Sequence, residues 1–356
     1  MDLEERQISV QDIKNILATS PEYAFLKENP YLGDNIMLLG YGGSHAYGTN
    51  NGNSDVDIRG IATRNKNDIL TGFDFEQVVQ VGVDTTIYSF DKMIKMLCAC
   101  NPNVIELLGL RDQDYIYRSD IGYELCRNRQ LFLSKIAIHS FGGYANAQLR
   151  RLENKSARTV SQQQQEAHLL KTIEHASVDF KRRYFEHPDD AIKLYIDESQ
   201  RDDYFTEIFC DVNLHHYPIR DYKGMFSEIG TIISGYSKIG KRNEKAIAHD
   251  KLGKHMMHLV RLYHMAFDIL ENGEIVTYRE KDHDFLMDIR NGKYLDENQQ
   301  PTKEFYEIVD EYEHRLDRLK DTTELPDKVD LRKVNDFVAS VNERIVRGYV
   351  WYYPLI

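Results

Sequence analysis

Nowhere does the sequence hold about 20 apolar residues in a row, the length a helix needs to cross a bilayer, so no membrane-spanning helix is expected. The first residues, Met1-Asp2-Leu3-Glu4-Glu5-Arg6, lack the basic start and apolar run of a secretory leader. Cysteine is scarce, four in 356 residues, and Cys98 and Cys100 stand almost side by side. That argues against a disulfide scaffold and fits a reduced, cytoplasmic setting. Positive charge is in deficit: 45 Lys and Arg face 57 Asp and Glu, a net charge of −12. A protein that coats nucleic acid without sequence preference gains affinity by releasing phosphate counterions, and this chain as a whole repels a polyanion. Any handling of nucleotides or RNA is therefore local, through metal ions and short basic patches.

What is present is an ordinary globular mixture, 42% hydrophobic and 29% charged, with apolar material enough for a core. The length suits two domains at about 150 residues each. Val10, Ile13, Ile16 and Leu17 recur at helical spacing. Strand signals follow at Ile36-Met37-Leu38-Leu39, at Val56 to Ala62 and, rich in β-branched residues, over Val78 to Tyr88. A helix capped by Ser89 or Asp91 carries Met93, Ile94, Met96 and Leu97, and Asn101-Pro102 ends it before a short helix over Val104 to Leu110. Beyond about residue 120 helical periods dominate, over 131–158, 162–186, 245–272, 303–319 and 331–346. The expected class is α+β: a small α/β domain with a mixed sheet over 1–120, then a larger, mainly helical domain over 121–356. Residues 186–240, rich in Tyr, Gly and mixed charge, fit neither pattern and read as an insertion.

The chemistry concentrates in Gly42-Gly43-Ser44-His45-Ala46-Tyr47-Gly48 and Ser54-Asp55-Val56-Asp57-Ile58-Arg59-Gly60. Aspartates at i and i+2 on a strand share a face, where their like charges repel unless neutralised. Hard oxygen ligands so placed suit Mg²⁺ together with substrate phosphates. Val56 and Ile58 point to the opposite face and anchor the strand. Ahead of them, Gly42 and Gly43 let the backbone approach a ligand closely, and their amides with the Ser44 hydroxyl suit a triphosphate. A third carboxylate is expected on a neighbouring strand, and Asp84, in Gly82-Val83-Asp84-Thr85-Thr86, is the candidate ahead of Asp74, Glu76 and Asp91. Three acids with two metals would clamp the attacking and leaving oxygens of an in-line displacement.

Gly43-Ser44, Asp55-Val56-Asp57-Ile58 and then Asp84 resemble the signature of the DNA polymerase β-type nucleotidyltransferases. The fuller string is similar to a narrower group within them, the RNA-ligase-associated (RlaP-like, YcgL-like) predicted nucleotidyltransferases. Asn101-Pro102-Asn103-Val104-Ile105-Glu106-Leu107-Leu108, Gly143-Tyr144-Ala145-Asn146-Ala147-Gln148-Leu149, Arg242-Asn243, Lys254 to Leu262 and Tyr278-Arg279 extend the likeness over roughly 36–330. The resemblance implies that Gly43 and Ser44 hold an NTP, ATP among them. It implies that Asp55 and Asp57 bind two Mg²⁺ or Mn²⁺ ions, and that Asp84 binds the ion activating the attacking hydroxyl. An NMP would pass to a hydroxyl acceptor and pyrophosphate would leave, the acceptor being an RNA end in RNA repair. The alternatives are nucleotidylylation of a protein hydroxyl, as in AMPylation, or a nucleotide-binding regulatory module without turnover. The register near Lys254 departs from the group's pattern at His249-Asp250-Lys251-Leu252-Gly253.

Arg59 shares the aspartates' face by strict alternation, where it balances them or meets phosphate; a structural ion pair is the bland alternative. Lys254, His258 and Arg261 recur at i, i+4 and i+7 on one helix. By default that is a solvated stripe, and the resemblance raises it to nucleotide binding. His255, His258 and His264 lack a cysteine partner and fit no common zinc spacing. The patches Arg150-Arg151, Lys155, Arg158 and Lys181-Arg182-Arg183 read as solvated helix faces, and Arg242-Asn243 with His249 matches a ribonuclease spacing too permissive to carry weight.

Overall fold

The run Ile36-Met37-Leu38-Leu39-Gly40-Tyr41-Gly42 has no polar position in it, and it forms β1 (Ile36–Gly42), buried along its whole length. A strand buried on both faces belongs at the centre of a sheet. The computed structural model describes residues 10–52, 54–157, 171, 184–188, 191–198, 206–237, 250–297 and 300–349. In it β1 pairs antiparallel with both β2 (Asp57–Ala62) and β5 (Tyr115–Arg118). β3 (Gln77–Gln80) and β4 (Thr85–Ser89) complete a five-stranded mixed sheet of order β3-β4-β2-β1-β5, in which β4 runs parallel to β2.

Short helices interleave with these strands. α1 (Val10–Thr19) and α2 (Phe25–Glu28) precede the sheet, α3 (Gly43–Tyr47) leaves β1 directly, and α4 (Lys66–Thr71) follows β2. α5 (Phe90–Cys98) begins at Ser89, whose hydroxyl accepts the Lys92 amide at 3.2 Å, the N-cap its sequence foretold. It buries Phe90, Met93, Ile94 and Leu97 along one face. α6 (Pro102–Ile105) starts after Asn101, and α7 (Asp120–Arg127) turns Ile121, Leu125 and Cys126 into the core. Then come α8 (Ile136–Ala157), the hairpin β6 (Ile192–Glu198) and β7 (Thr206–Val212), α9 (Ile219–Ser237), α10 (Asp250–Asn272), α11 (His283–Arg290), α12 (Lys303–Thr322) and α13 (Leu331–Arg347). An α/β sheet domain followed by helices is the α+β class expected. Among the described residues no helix is long and apolar enough to cross a membrane.

Two compact units emerge. The first holds Met1–Asn146, Met257–Lys293 and Lys303–Ile356, and the second holds Ala147–Met256 and Tyr294–Thr302. This division differs from a boundary near residue 120, because the late helices bring apolar faces back to the first unit. Phe337 of α13 meets Phe90 with ring centroids 6.2 Å apart, and the Thr277 amide donates to Gly109 O at 3.2 Å. In the second unit β6 and β7 pair antiparallel from Ile192↔Val212 to Glu198↔Thr206, a hairpin within the segment that resisted assignment.

Two expectations shift, and others lie outside the described residues. Val78 to Tyr88 is not one strand but β3, a 3-10 turn over Val81–Val83, and β4. Val81 is 81% exposed, so no apolar contact holds that stretch extended. Asp55 and Val56 precede β2 rather than opening it. The helix over 162–186 lies almost wholly outside the described residues, as do Arg158, Lys181-Arg182-Arg183, Arg242-Asn243 and His249.

Candidate active site

The pairing of β1 with β2 sets Gly42 opposite Asp57. The chain then turns into α3 through Gly43, at φ 55°, a left-handed conformation that glycine adopts without a Cβ penalty. A Cβ built on Gly43 would lie 1.8 Å from Asp57 Oδ2. The carboxylate therefore packs directly on the glycine turn. On the other side of β2, the parallel register sets Ile58 level with Thr85, and Asp57 and Asp84 are the residues just before that pair. The Ile58 amide donates to Asp84 O at 3.2 Å.

Arg59 binds this corner together. Its Nη1 donates to Asp84 O at 2.8 Å and to Ile58 O at 3.1 Å, and its Nη2 lies 3.5 Å from Asp57 Oδ1. The residue thus balances a carboxylate and ties down the backbone behind another. Ser44 is half-buried in the first turn of α3, and its carbonyl accepts the Thr49 amide at 3.0 Å.

The other two acids stand differently from expectation. Asp84, expected on a neighbouring strand, is exposed and closes the Val81–Val83 turn at φ 40°. Asp55 is exposed in the loop before β2, so strand alternation does not fix its side chain on the face of Asp57. Among the described residues no group of three or more His, Cys, Asp or Glu side chains is gathered as a metal-holding cluster. Backbone topology brings Asp57 and Asp84 together, but their side chains and that of Asp55 do not converge. In chemistry the donor set fits Mg²⁺ or Mn²⁺, being carboxylate oxygens throughout. The Asp57 carboxylate fills the space that a Cβ on Gly43 would need, which is why glycine stands at this turn.

The cationic stripe on α10 is not uniform. Lys254 is exposed and falls in the second unit. Arg261, expected to meet a nucleotide, is buried, and its guanidinium carbon lies 3.2 Å from the centroid of the Tyr47 ring. Its Nη2 donates to His258 Nδ1 at 2.6 Å, and Tyr144 meets His258 edge-on with centroids 6.0 Å apart. The correction follows from the helix's composition: Met257, Leu259, Val260 and Leu262 are all buried, so little of the helix here faces water. Loss of water lowers Arg261 to about 10. Burial pushes the nearby Glu106 carboxyl up to about 7, opposed by the charge of Arg261.

Sequence reasoning missed how the segment after α10 holds α3. The Arg279 amide donates to Tyr47 O at 3.0 Å. A Cβ on Gly48, at φ 71°, would meet Tyr278 Cε2 at 2.4 Å, and the Tyr278 ring lies 3.3 Å beneath the guanidinium carbon of Arg111. Tyr278-Arg279 was visible only as part of the family pattern.

Comparison with known proteins bears on this arrangement. No curated protein and no solved structure matches the chain. Residues 17–185 match the family model described as the RNA repair pathway DNA polymerase beta family, a span that takes in the whole five-stranded sheet and stops short of α10. Over residues 17–185 the chain is thus similar to the RNA repair pathway DNA polymerase beta family.

Proposed function

We propose that the protein is a metal-dependent nucleotidyltransferase that moves an NMP unit from an NTP to a hydroxyl acceptor, an RNA end, with release of pyrophosphate. The observation that carries the reading is the packing of the Asp57 carboxylate on Gly43, with the Asp84 carbonyl bonded to the next residue, Ile58, in a segment that matches this family. Residues 1–120 act as the catalytic part. The amides of the turn at Gly43 and the Ser44 hydroxyl hold the triphosphate. Asp55, Asp57 and Asp84 hold the divalent ions, two in number, and Arg59 keeps the β2–β4 corner in register. His258 contributes to nucleotide binding, while Arg261 acts from beneath by supporting Tyr47 at the end of α3.

In the reaction the acceptor oxygen forms a bond to the α-phosphorus as the bond from that phosphorus to the α,β-bridging oxygen breaks. The hydroxyl's proton passes to solvent water and the pyrophosphate departs with the electron pair. Bound divalent ions supply Lewis-acid stabilisation of the charge that develops on the phosphoryl oxygens. The turn's donors add preorganised stabilisation, because they are fixed before the charge appears.

The test is incubation of the protein and Mg²⁺ with NTPs labelled at the α-phosphate, in the presence of RNA or protein acceptors. Label on RNA, abolished by the double change Asp55→Ala and Asp57→Ala, supports the reading. Label on protein replaces the acceptor. Binding of NTP without pyrophosphate release would make the protein a nucleotide-binding module.

A further inference from the structure

Between α3 and β2 the chain crosses a loop that ends at Asp55, and the loop has its own internal order. The Ser54 amide donates to Asn51 O at 2.9 Å. The Asn51 amide donates to Ser54 Oγ at 2.9 Å, and that hydroxyl donates in turn to Asn51 Oδ1 at 2.9 Å. These bonds shape a small turn immediately before Asp55. They do not fix where the turn stands against the sheet.

That is done from far along the chain. Arg290, the last residue of α11, is 8% exposed. Its Nη1 donates to Thr49 O, and its Nη2 reaches Ser54 Oγ at 3.5 Å. One rigid guanidinium therefore spans the loop, holding its start at Thr49 and its end at Ser54. Thr49 is fully buried and its amide is bonded to Ser44 O at 3.0 Å, so the same contact reaches back to the glycine-serine turn. His45 Nε2 stands 3.5 Å from Ser54 O and supports the loop's end from α3. Taking a guanidinium out of water is costly, and a planar fork with fixed donors suits bridging two separated acceptors in a way an ammonium does not.

We infer that Arg290 is a positioning residue, clamping the loop at Thr49 and Ser54 and so fixing the backbone that carries Asp55 into β2. The inference rests on the metal-binding reading of Asp55 and Asp57. Arg290 lies outside the matched residues 17–185, so a later part of the chain completes the geometry of the catalytic part. The residue need not touch substrate; it acts through Thr49 and Ser54.

The test titrates Mn²⁺ alone into the full-length protein, reading free ion by electron paramagnetic resonance. Wild type is compared with Asp57→Ala, Arg290→Lys and Ser54→Ala, each checked for native fold by circular dichroism. Arg290→Lys keeps the charge but not the fork. Outer partners of metal ligands typically change affinity about 10–100-fold, so Arg290→Lys is expected to weaken Mn²⁺ binding about 10-fold. Ser54→Ala, which approaches the same contact from the loop and leaves α11 intact, should weaken it about 3-fold by loss of the hydroxyl's bonds to Arg290 and Asn51. The double variant should be no weaker than Arg290→Lys, as for residues acting through one contact. In transfer assays kcat falls and KM for NTP stays within about 3-fold, because the triphosphate donors are untouched. Wild-type Mn²⁺ affinity in both folded variants, with Asp57→Ala impaired, overturns the inference alone. Equal binding by wild type and Asp57→Ala overturns the metal reading and the clamp with it.

Discussion

The Asp57 carboxylate occupies the space that a side chain at residue 43 would need, Oδ2 lying 1.8 Å from where a Cβ on Gly43 would stand. Two residues 14 apart in the sequence thus form one surface, with backbone donors on one side and a carboxylate on the other. The β1–β2 pairing enforces it by setting Gly42 opposite Asp57.

Gly43→Ala is expected to affect binding and stability together. The left-handed backbone costs an L-residue about 1–2 kcal/mol, and the new methyl must displace Asp57. Urea denaturation should show a stability loss of about 1–3 kcal/mol, and calorimetry should show NTP binding lost. Unchanged NTP affinity would count against the turn as the triphosphate seat.

Asp84→Asn separates function from folding. The side chain is exposed, and this residue's backbone carbonyl and amide make hydrogen bonds. Stability should stay within about 0.5 kcal/mol of wild type. Pyrophosphate release should fall at least about 100-fold, corresponding to about 3 kcal/mol of lost transition-state stabilisation. Full turnover in the variant would remove the third acid from the site.

Glu106 gives a pH signature. Burial raises its carboxyl from 4.5 to about 7, with the charge of Arg261 pulling the other way. Between those values the unfolded chain has released the proton and the folded one retains it, so stability falls as pH rises from about 4.5 to about 7. Glu106→Gln should flatten that slope in denaturant titrations. A slope of the same size in the variant would mean that another group titrates there.

Asp282 acts in the opposite sense. A hydrogen bond from His264 lowers it to about 2 from 3.8, helped by Arg279 and opposed by burial. His264 Nδ1 lies 3.2 Å from Asp282 Oδ2, and Arg279 also donates to that carboxylate. The stabilisation is full above about pH 4 and is lost as pH falls towards 2. Asp282→Asn should therefore cost about 1–2 kcal/mol at neutral pH, and its deficit should shrink on acidification towards 2. A deficit independent of pH would assign the loss to packing.

Much of the first unit was legible because its signals are local. The apolar run at residues 36–42, the glycine turn after it and the Ser89 cap each announce themselves within a few residues. Asp57 beside Gly43 followed from their spacing. Asp84 is expected on a strand that it does not occupy, because valines run through the Val81–Val83 turn as through the strands beside it. Arg261 was misread because its i, i+7 relation to Lys254 describes a helix and not what covers it. Arg290 was invisible, since 241 residues separate it from Thr49 and nothing in an ordinary amphipathic helix marks one arginine as a clamp.

The most direct test is a crystal grown with Mn²⁺ and a non-hydrolysable NTP, with the ion located by its anomalous scattering. The account predicts anomalous peaks within coordinating distance of Asp55, Asp57 and Asp84, with the triphosphate on Gly43 and Ser44. A nucleotide bound there while Asp84 stays beyond reach of any ion, or ions bound elsewhere, would contradict it.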